Sequence, residues 1–183
     1  MKIAILFEFS GIVRDAFRAR GHDAISFDLL DSERPGPHIK GDVRETFIDN
    51  FDLAIFHPPC TRLAVSGARW FSLYRDEQEA ALDLVKWCFS RKTPKKALEN
   101  PVSVISSRIR KPDQIIQPWQ FGHGETKSTC LWLENLPLLT ATNIVDGRNP
   151  RVHFESPGPE RWKNRSRTYE GVAAAFAEQW GAS

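Results

Sequence analysis

The chain has 183 residues, 41% hydrophobic and 26% charged, with a formal net charge of +2. That length suits one soluble domain with a core of its own, and so mild a charge neither demands nor forbids a nucleic-acid partner. Three cysteines without a Cys-x-x-Cys pair speak against a disulfide framework or structural zinc, so no metal site is expected and a reducing cytoplasm is. No apolar run approaches the ~18 residues of a membrane span, so no membrane partner is expected.

In chain order, residues 2–7 form an apolar run that predicts a buried parallel strand rather than a signal peptide. Residues 12–20 have the pattern of an amphipathic helix closed by Gly21. A second strand is predicted over 24–28, ending in Asp28, then a Pro- and Gly-containing loop over 31–40. Residues 52–56 predict a third buried strand, broken by His57-Pro58-Pro59-Cys60. A helix over 76–90 sets Leu82, Val85 and Phe89 on one side. Strands over 95–99 and 128–133, an irregular stretch over 140–165 and a closing helix over 171–180 complete the chain. The alternation of strand and helix predicts an α/β fold with an open, doubly wound, mostly parallel sheet. In such sheets ligands bind beyond the carboxyl ends of the strands. Phe7, Asp28, Asp42, Cys60 and Glu99 all fall at or just after a strand end.

Each of these residues has a chemical and a plain structural reading. Asp28 can accept both ribose hydroxyls of a nucleoside cofactor, or be an exposed acid or helix cap. The loop Phe7-Glu8-Phe9-Ser10-Gly11 has one glycine and makes a poor diphosphate cradle. It suits a cofactor without phosphates, or is simply a strand-to-helix turn. Asp42 can accept from an adenine amino group or cap residues 43–48. The two prolines before Cys60 fix the backbone, so its sulfur is held at one position, as a nucleophile or as a buried inert thiol. A nucleophilic thiol needs a lowered pKa, for which Ser66, Arg69 and a helix N-terminus are at hand in the sequence. Glu99, before Asn100-Pro101, can stay protonated in a closed site and donate a hydrogen bond, or be a surface acid. Arg165 and Arg167 can grip a phosphate or lie on a solvated face. Trp70, Trp119, Trp132 and Trp162 can stack on bases or pack in the core or at its rim.

In this order the residues resemble the motif series of the DNA cytosine-C5 methyltransferases, and the whole is closest to small phage- or prophage-type members. Leu6-Phe7, Gly11 and Arg14 resemble the first cofactor loop, Asp28 the ribose-binding acid, and Gly41-Asp42-Val43-Arg44 the adenine-contacting step. The stretch from Asp52 to Gly67, with Pro58-Pro59-Cys60 and Ser66-Gly67, is similar to the nucleophile motif. Ala97-Leu98-Glu99-Asn100 resembles the Glu-Asn motif. Phe121-Gly122 with Glu125 and Lys127 is similar to the Tyr-Gly and Gln-x-Arg-x-Arg segment, and the last helix to the element that packs beside the cofactor.

The resemblance implies a Rossmann-like class I methyltransferase fold over 1–183, with 140–165 as a reduced recognition segment and 166–183 as the closing element. It implies an enzyme, a DNA (cytosine-5-)-methyltransferase using S-adenosyl-L-methionine. Cys60 and Glu99 would be catalytic. Phe7, Glu8, Ser10, Gly11, Asp28, Leu29, Asp42, Val43 and Pro58 would hold the cofactor. Pro59, Ser66, Asn100, Lys127, Arg165 and Arg167 would meet the substrate. Glu8 and Phe9 stand where the family has glycines, and only residues 133–164 are left for target recognition. DNA is therefore expected as a single strand or with low sequence specificity, or with a homodimer or partner protein supplying recognition. A free pyrimidine nucleotide as substrate, and a non-catalytic relative that binds DNA or cofactor, are the alternatives. The expected location is the cytoplasm of a bacterial host.

Overall fold

The protein, described here from a computed structural model, is defined over residues 1–182; Ser183, the last residue of the expected closing element, lies outside the described residues. Seven strands make one sheet: β1 (Lys2–Leu6), β2 (Asp23–Asp28), β3 (His38–Lys40), β4 (Leu53–Phe56), β5 (Lys95–Pro101), β6 (Gln114–Ile116) and β7 (Thr129–Glu134). Their order is β3-β2-β1-β4-β5-β7-β6. The first five in space run parallel, and β7 is antiparallel to both of its neighbours. The helices are α1 (Ile12–Arg18), α2 (Arg75–Phe89), α3 (Ile105–Arg108), α4 (Arg161–Ser166) and α5 (Glu170–Gly181). Among the described residues no helix is long and apolar enough to cross a membrane.

β1 and β4 are apolar at successive positions because both of their faces are covered. On one face Ile3, Ile5, Ile55, Ala97 and Leu131 pack with Val13 and Phe17 of α1 and Phe176 and Trp180 of α5. On the other, Ala4, Leu6, Phe56, Leu98 and Trp132 pack with Leu82, Val85 and Cys88 of α2. Each fully buried large side chain contributes about 1.5–3 kcal/mol. Phe176 and Trp180 stack at 4.4 Å between centroids. Of the tryptophans singled out in the sequence, Trp132 is core, Trp119 lies under the Arg148 guanidinium, and Trp70 and Trp162 are about half exposed.

Three features differ from the sequence reading. β3 and β6 are three-residue edge strands, too short to carry a period. α1 stops at Arg18, two residues short of the expected end; Gly21 follows in the left-handed region at φ 82° and donates to the Arg18 carbonyl at 2.9 Å. In α2 the core position expected of Phe89 belongs to Cys88, because the buried stripe runs through Gln78, Leu82, Val85 and Cys88.

Two devices lock the strand ends that matter below. Arg14 is fully buried, and its guanidinium donates to Ser26 Oγ, Ser32 Oγ and the carbonyls of Arg34 and Pro35 at 3.0–3.2 Å. It thereby ties α1 to β2 and to the loop after it. Gly171, in the first turn of α5, lies so close to the chain at Phe121 that an added Cβ would overlap the Phe121 carbonyl oxygen. Gly171→Ala should therefore lower stability by about 1–3 kcal/mol, as overpacking does. Urea unfolding checks this: the midpoint should fall with the slope unchanged.

Candidate active site

The strand order reverses between β1 and β4, which makes the crevice beyond their carboxyl ends the natural ligand site. β1, β4 and β5 pair in register, Leu6 with Phe56 and Phe56 with Leu98, and the His57 amide extends the ladder by donating to the Leu6 carbonyl at 3.0 Å. Glu8, His57 and Glu99 consequently leave three adjacent strands at one edge. The backbone then turns through buried Pro58 and exposed Pro59 to Cys60, whose carbonyl accepts from the Leu63 and Ala64 amides. Asn100, fully buried, donates from Nδ2 to the Pro58 carbonyl at 2.9 Å. It braces the turn that carries the cysteine, and its Oδ1 is buried without a hydrogen-bond partner among the described residues.

Cys60 is partly exposed, whereas Cys88 and Cys130 are buried. Burial raises the Cys60 thiol, and the nearby Glu99 charge raises it further, against Lys127 and Arg165. The expectation of a lowered thiol pKa is thus corrected. The cations whose charge bears on the thiol are Lys127 and Arg165 rather than Arg69, which lies against Trp70, while Ser66 is exposed on the 3-10 turn Val65–Trp70. Burial also works to raise Glu99. The hydrogen bond from His57 and the charges of Lys127 and His57 outweigh it and hold the carboxyl below the ordinary glutamate range. Glu99 is an anion at rest, not the protonated acid expected from the sequence. His57 Nδ1 lies 3.2 Å from Glu99 Oε2, and no partner is placed on Oε1. A shallow cleft lies against Glu99, with Ile116, Lys127, Thr168, Tyr169 and Val172 along its walls.

At the first loop Phe7 has φ 62°, a strained value for a side chain of its size and one that clusters at ligand sites. Glu8 is buried and accepts from the Val13 and Arg14 amides and from Ser10 Oγ, so it caps α1 across the positive-φ Gly11. Burial raises the Glu8 carboxyl, and no cation forms an ion pair with it among the described residues. Asp28 accepts from the Leu30 amide at 2.9 Å, and burial raises its carboxyl; Leu29 beside it is 68% exposed. Asp42 caps the turn Val43–Glu45, with Val43 buried, and both of its oxygens engage Arg44, which holds the carboxyl down at about 2.

The segment expected to be irregular holds α4, which folds back over the first loop. Trp162 meets Phe9 at 5.8 Å, and Arg167 grips Glu33 through two hydrogen bonds at 2.6 and 2.8 Å. Arg167 is therefore occupied by a carboxylate, whereas Arg165 is left beside Cys60. The sequence reading assigned no role to His57 and Tyr169, which donates to Glu125 Oε2 at 2.6 Å. For His57 the signal in the sequence was its place directly after the third strand; the register that sets it opposite Glu99 comes only with the fold. No group of three His, Cys, Asp or Glu among the described residues is placed to hold a metal ion.

The strand order, with its reversed β7, makes this a Rossmann-like class I methyltransferase fold, with a cysteine and a glutamate at the ends of neighbouring central strands. No protein-family model and no curated protein matches the sequence. Among solved structures, the Dnmt2 methyltransferase of S. pombe is similar over 85% of this chain and 54% of its own, with 14% identity and a TM-score of 0.48. The chain thus spans about half of that protein's length.

Removing the charge of Glu99 should bring the Cys60 thiol down. In Glu99→Gln, alkylation of Cys60 by iodoacetamide should be faster than in the parent at any given mildly alkaline pH, with Cys88 and Cys130 unmodified. Mass spectrometry of the tryptic peptides reads this directly.

Proposed function

We propose that this chain, as one domain over 1–183, is a DNA (cytosine-5-)-methyltransferase that uses S-adenosyl-L-methionine and a covalent Cys60 adduct. The observation that carries the reading is the placement of Cys60, just after β4, and Glu99, on the neighbouring parallel strand β5, at the carboxyl edge of the sheet.

The residues at the β1 and β2 ends suit this cofactor. The amides that open α1 are taken by Glu8, so no phosphate cradle is offered, and the cofactor carries no phosphate. The carboxylate of Asp28 suits ribose hydroxyls, exposed Leu29 suits the flat face of adenine, and Glu8 suits an α-ammonium group. Phe7, Ser10, Gly11 and Pro58 line the same strand ends. Asp42 and Val43 lie further along, with Asp42 engaged by Arg44.

Glu99, ionised and beside the thiol, accepts the Cys60 proton: the S–H bond breaks, an O–H bond forms, and a thiolate faces Lys127 and Arg165. Glu99 then presents one donor and one acceptor, the pattern that the ring nitrogen N3 and exocyclic amine of cytosine require. Uracil and thymine, with an N–H and a carbonyl at those positions, do not match it. Sγ adds to C6 while Glu99 stabilises the charge that moves onto the ring. Bound S-adenosyl-L-methionine supplies the electrophilic methyl group that C5 takes. The C5 proton leaves to solvent, the Sγ–C6 bond breaks, and Cys60 recovers its proton from Glu99.

A base in a duplex must be flipped out to reach such a site. A specific DNA-binding module covers at least ~600 Å², more than the short segment 133–164 suits. Half-exposed Trp70 and Trp162 offer stacking faces instead. A single strand, or DNA read with little sequence preference, fits this surface best, and a second copy or a partner protein would supply further recognition.

Methyl transfer to cytosine-containing single-stranded DNA should be measurable and should be lost in Cys60→Ala; undiminished activity in that variant overturns the reading. Competition by dCMP would instead point to a free nucleotide, and no turnover with any substrate to a binding relative of the fold. Asp28→Ala should weaken binding of S-adenosylhomocysteine by about 1.4–2.8 kcal/mol, or ~10–100-fold, as loss of hydrogen bonds to a charged acceptor does. Calorimetry checks it.

A further inference from the structure

His57 has no part in the mechanism above, yet it occupies the middle of the site. It is nine-tenths buried, and its strand lies between those that carry Glu8 and Glu99. Alternation along β4 and β5 sets it on the same face as Glu99. Ile55 and Ala97, two residues before each, both belong to the core cluster that packs under α1 and α5. Its Nδ1 meets Glu99 Oε2 at 3.2 Å, and its buried Nε2 has no hydrogen-bond partner among the described residues. A histidine kept only for structure would be expected to satisfy both ring nitrogens, because a buried polar atom left unpaired is costly.

The charged and titratable groups facing it come from every element around it. Glu8 bears on it from the end of β1 and Glu99 from β5, and around Glu99 stand Lys127, Cys60 and Arg165. Glu8 does not hold Glu99, because it acts only as an acceptor, from the Val13 and Arg14 amides and Ser10 Oγ. Among the described residues, His57 is the one hydrogen-bond donor to Glu99.

We infer that His57 is a positioning residue: Nδ1–H grips one oxygen of Glu99, fixes the carboxylate as an oriented anion, and leaves the second oxygen for the thiol proton and then for the pyrimidine. This rests on the methyl-transfer reading for its purpose, though the pairing itself does not. Glu99 would otherwise be a buried carboxylate opposed by only one amine, and burial would favour its neutral form. A neutral Glu99 cannot receive the Cys60 proton, so the first step would fail. The nitrogen of His57 that carries the proton follows from its partner: an acceptor at Nδ1 selects the Nδ1–H form.

The test has two independent arms. In the cofactor-free protein, NMR of the Glu99 carboxyl carbon across pH should show ionisation moving to higher pH in His57→Ala. His57→Asn, whose amide can still donate, should restore much of the parent behaviour. Nitrogen-edited spectra of the parent at neutral pH should find a proton on His57 Nδ1. A proton on Nε2 alone overturns the inference without any variant, should His57→Ala fail to fold. An unmoved Glu99 titration in a folded His57→Ala overturns it too.

In the activity arm, His57→Ala should lower kcat on the order of a hundredfold, the scale of a misplaced catalytic group, with KM for single-stranded DNA little changed. The acid limb of the rate profile should move to higher pH. An identical profile overturns the inference. If the parent shows no methyl transfer at all, the functional reading fails, and the first arm still decides whether His57 governs Glu99.

Discussion

Everything at this site depends on the in-register parallel pairing of β1, β4 and β5. Parallel strands present all of their carboxyl ends at one edge, so residues from distant parts of the chain arrive together with no loop to span the gap. A shift of one residue in β4 would carry His57 to the other face of the sheet, under α2, and break its bond to Glu99. The apolar runs of β1 and β4 specify the strands, and the helices on either face hold the pairing in place.

That edge is costly to build, because it buries charge. Glu8, Arg14 and Glu99 would each destabilise the fold if left without partners. The solution differs for each. Arg14 is satisfied by hydroxyls and carbonyls of β2 and its loop, so the cation braces the ends of β1 and β2. Glu8 is satisfied by the first amides of α1. Glu99 relies on His57 and on the nearby charge of Lys127, which leaves one oxygen free. The least satisfied acid is thus the one whose charge bears on the Cys60 thiol.

The C-terminal part closes the site from above. α4 is too short to be stable alone and is held by the Arg167–Glu33 pair, by Trp162 on Phe9, and by the neighbouring Arg34–Glu170 pair at the start of α5. This docking carries Arg165 to the neighbourhood of Cys60. The same contacts place α4 over the first loop, so the cover of that loop and the electrostatics of the thiol share one clamp.

The central strands, α1, α2 and α5 were legible because burial on a known face imposes a period or an unbroken apolar run. Cys60 and Glu99 were legible because rigid prolines and strand ends mark positions. The three-residue edges β3 and β6 were not, since so short a piece has no period, and α4 was not, because its stability comes from partners more than a hundred residues away. Charge state and bonding were beyond the sequence altogether. Asn100 braces Pro58, Arg167 grips Glu33, Glu99 is ionised and the thiol is raised, all through neighbours that only folding supplies. The sequence by itself determined which residues reach the edge of the sheet. The tertiary structure decided what each one faces there, because desolvation and hydrogen bonding depend on distances that no spacing along the chain encodes.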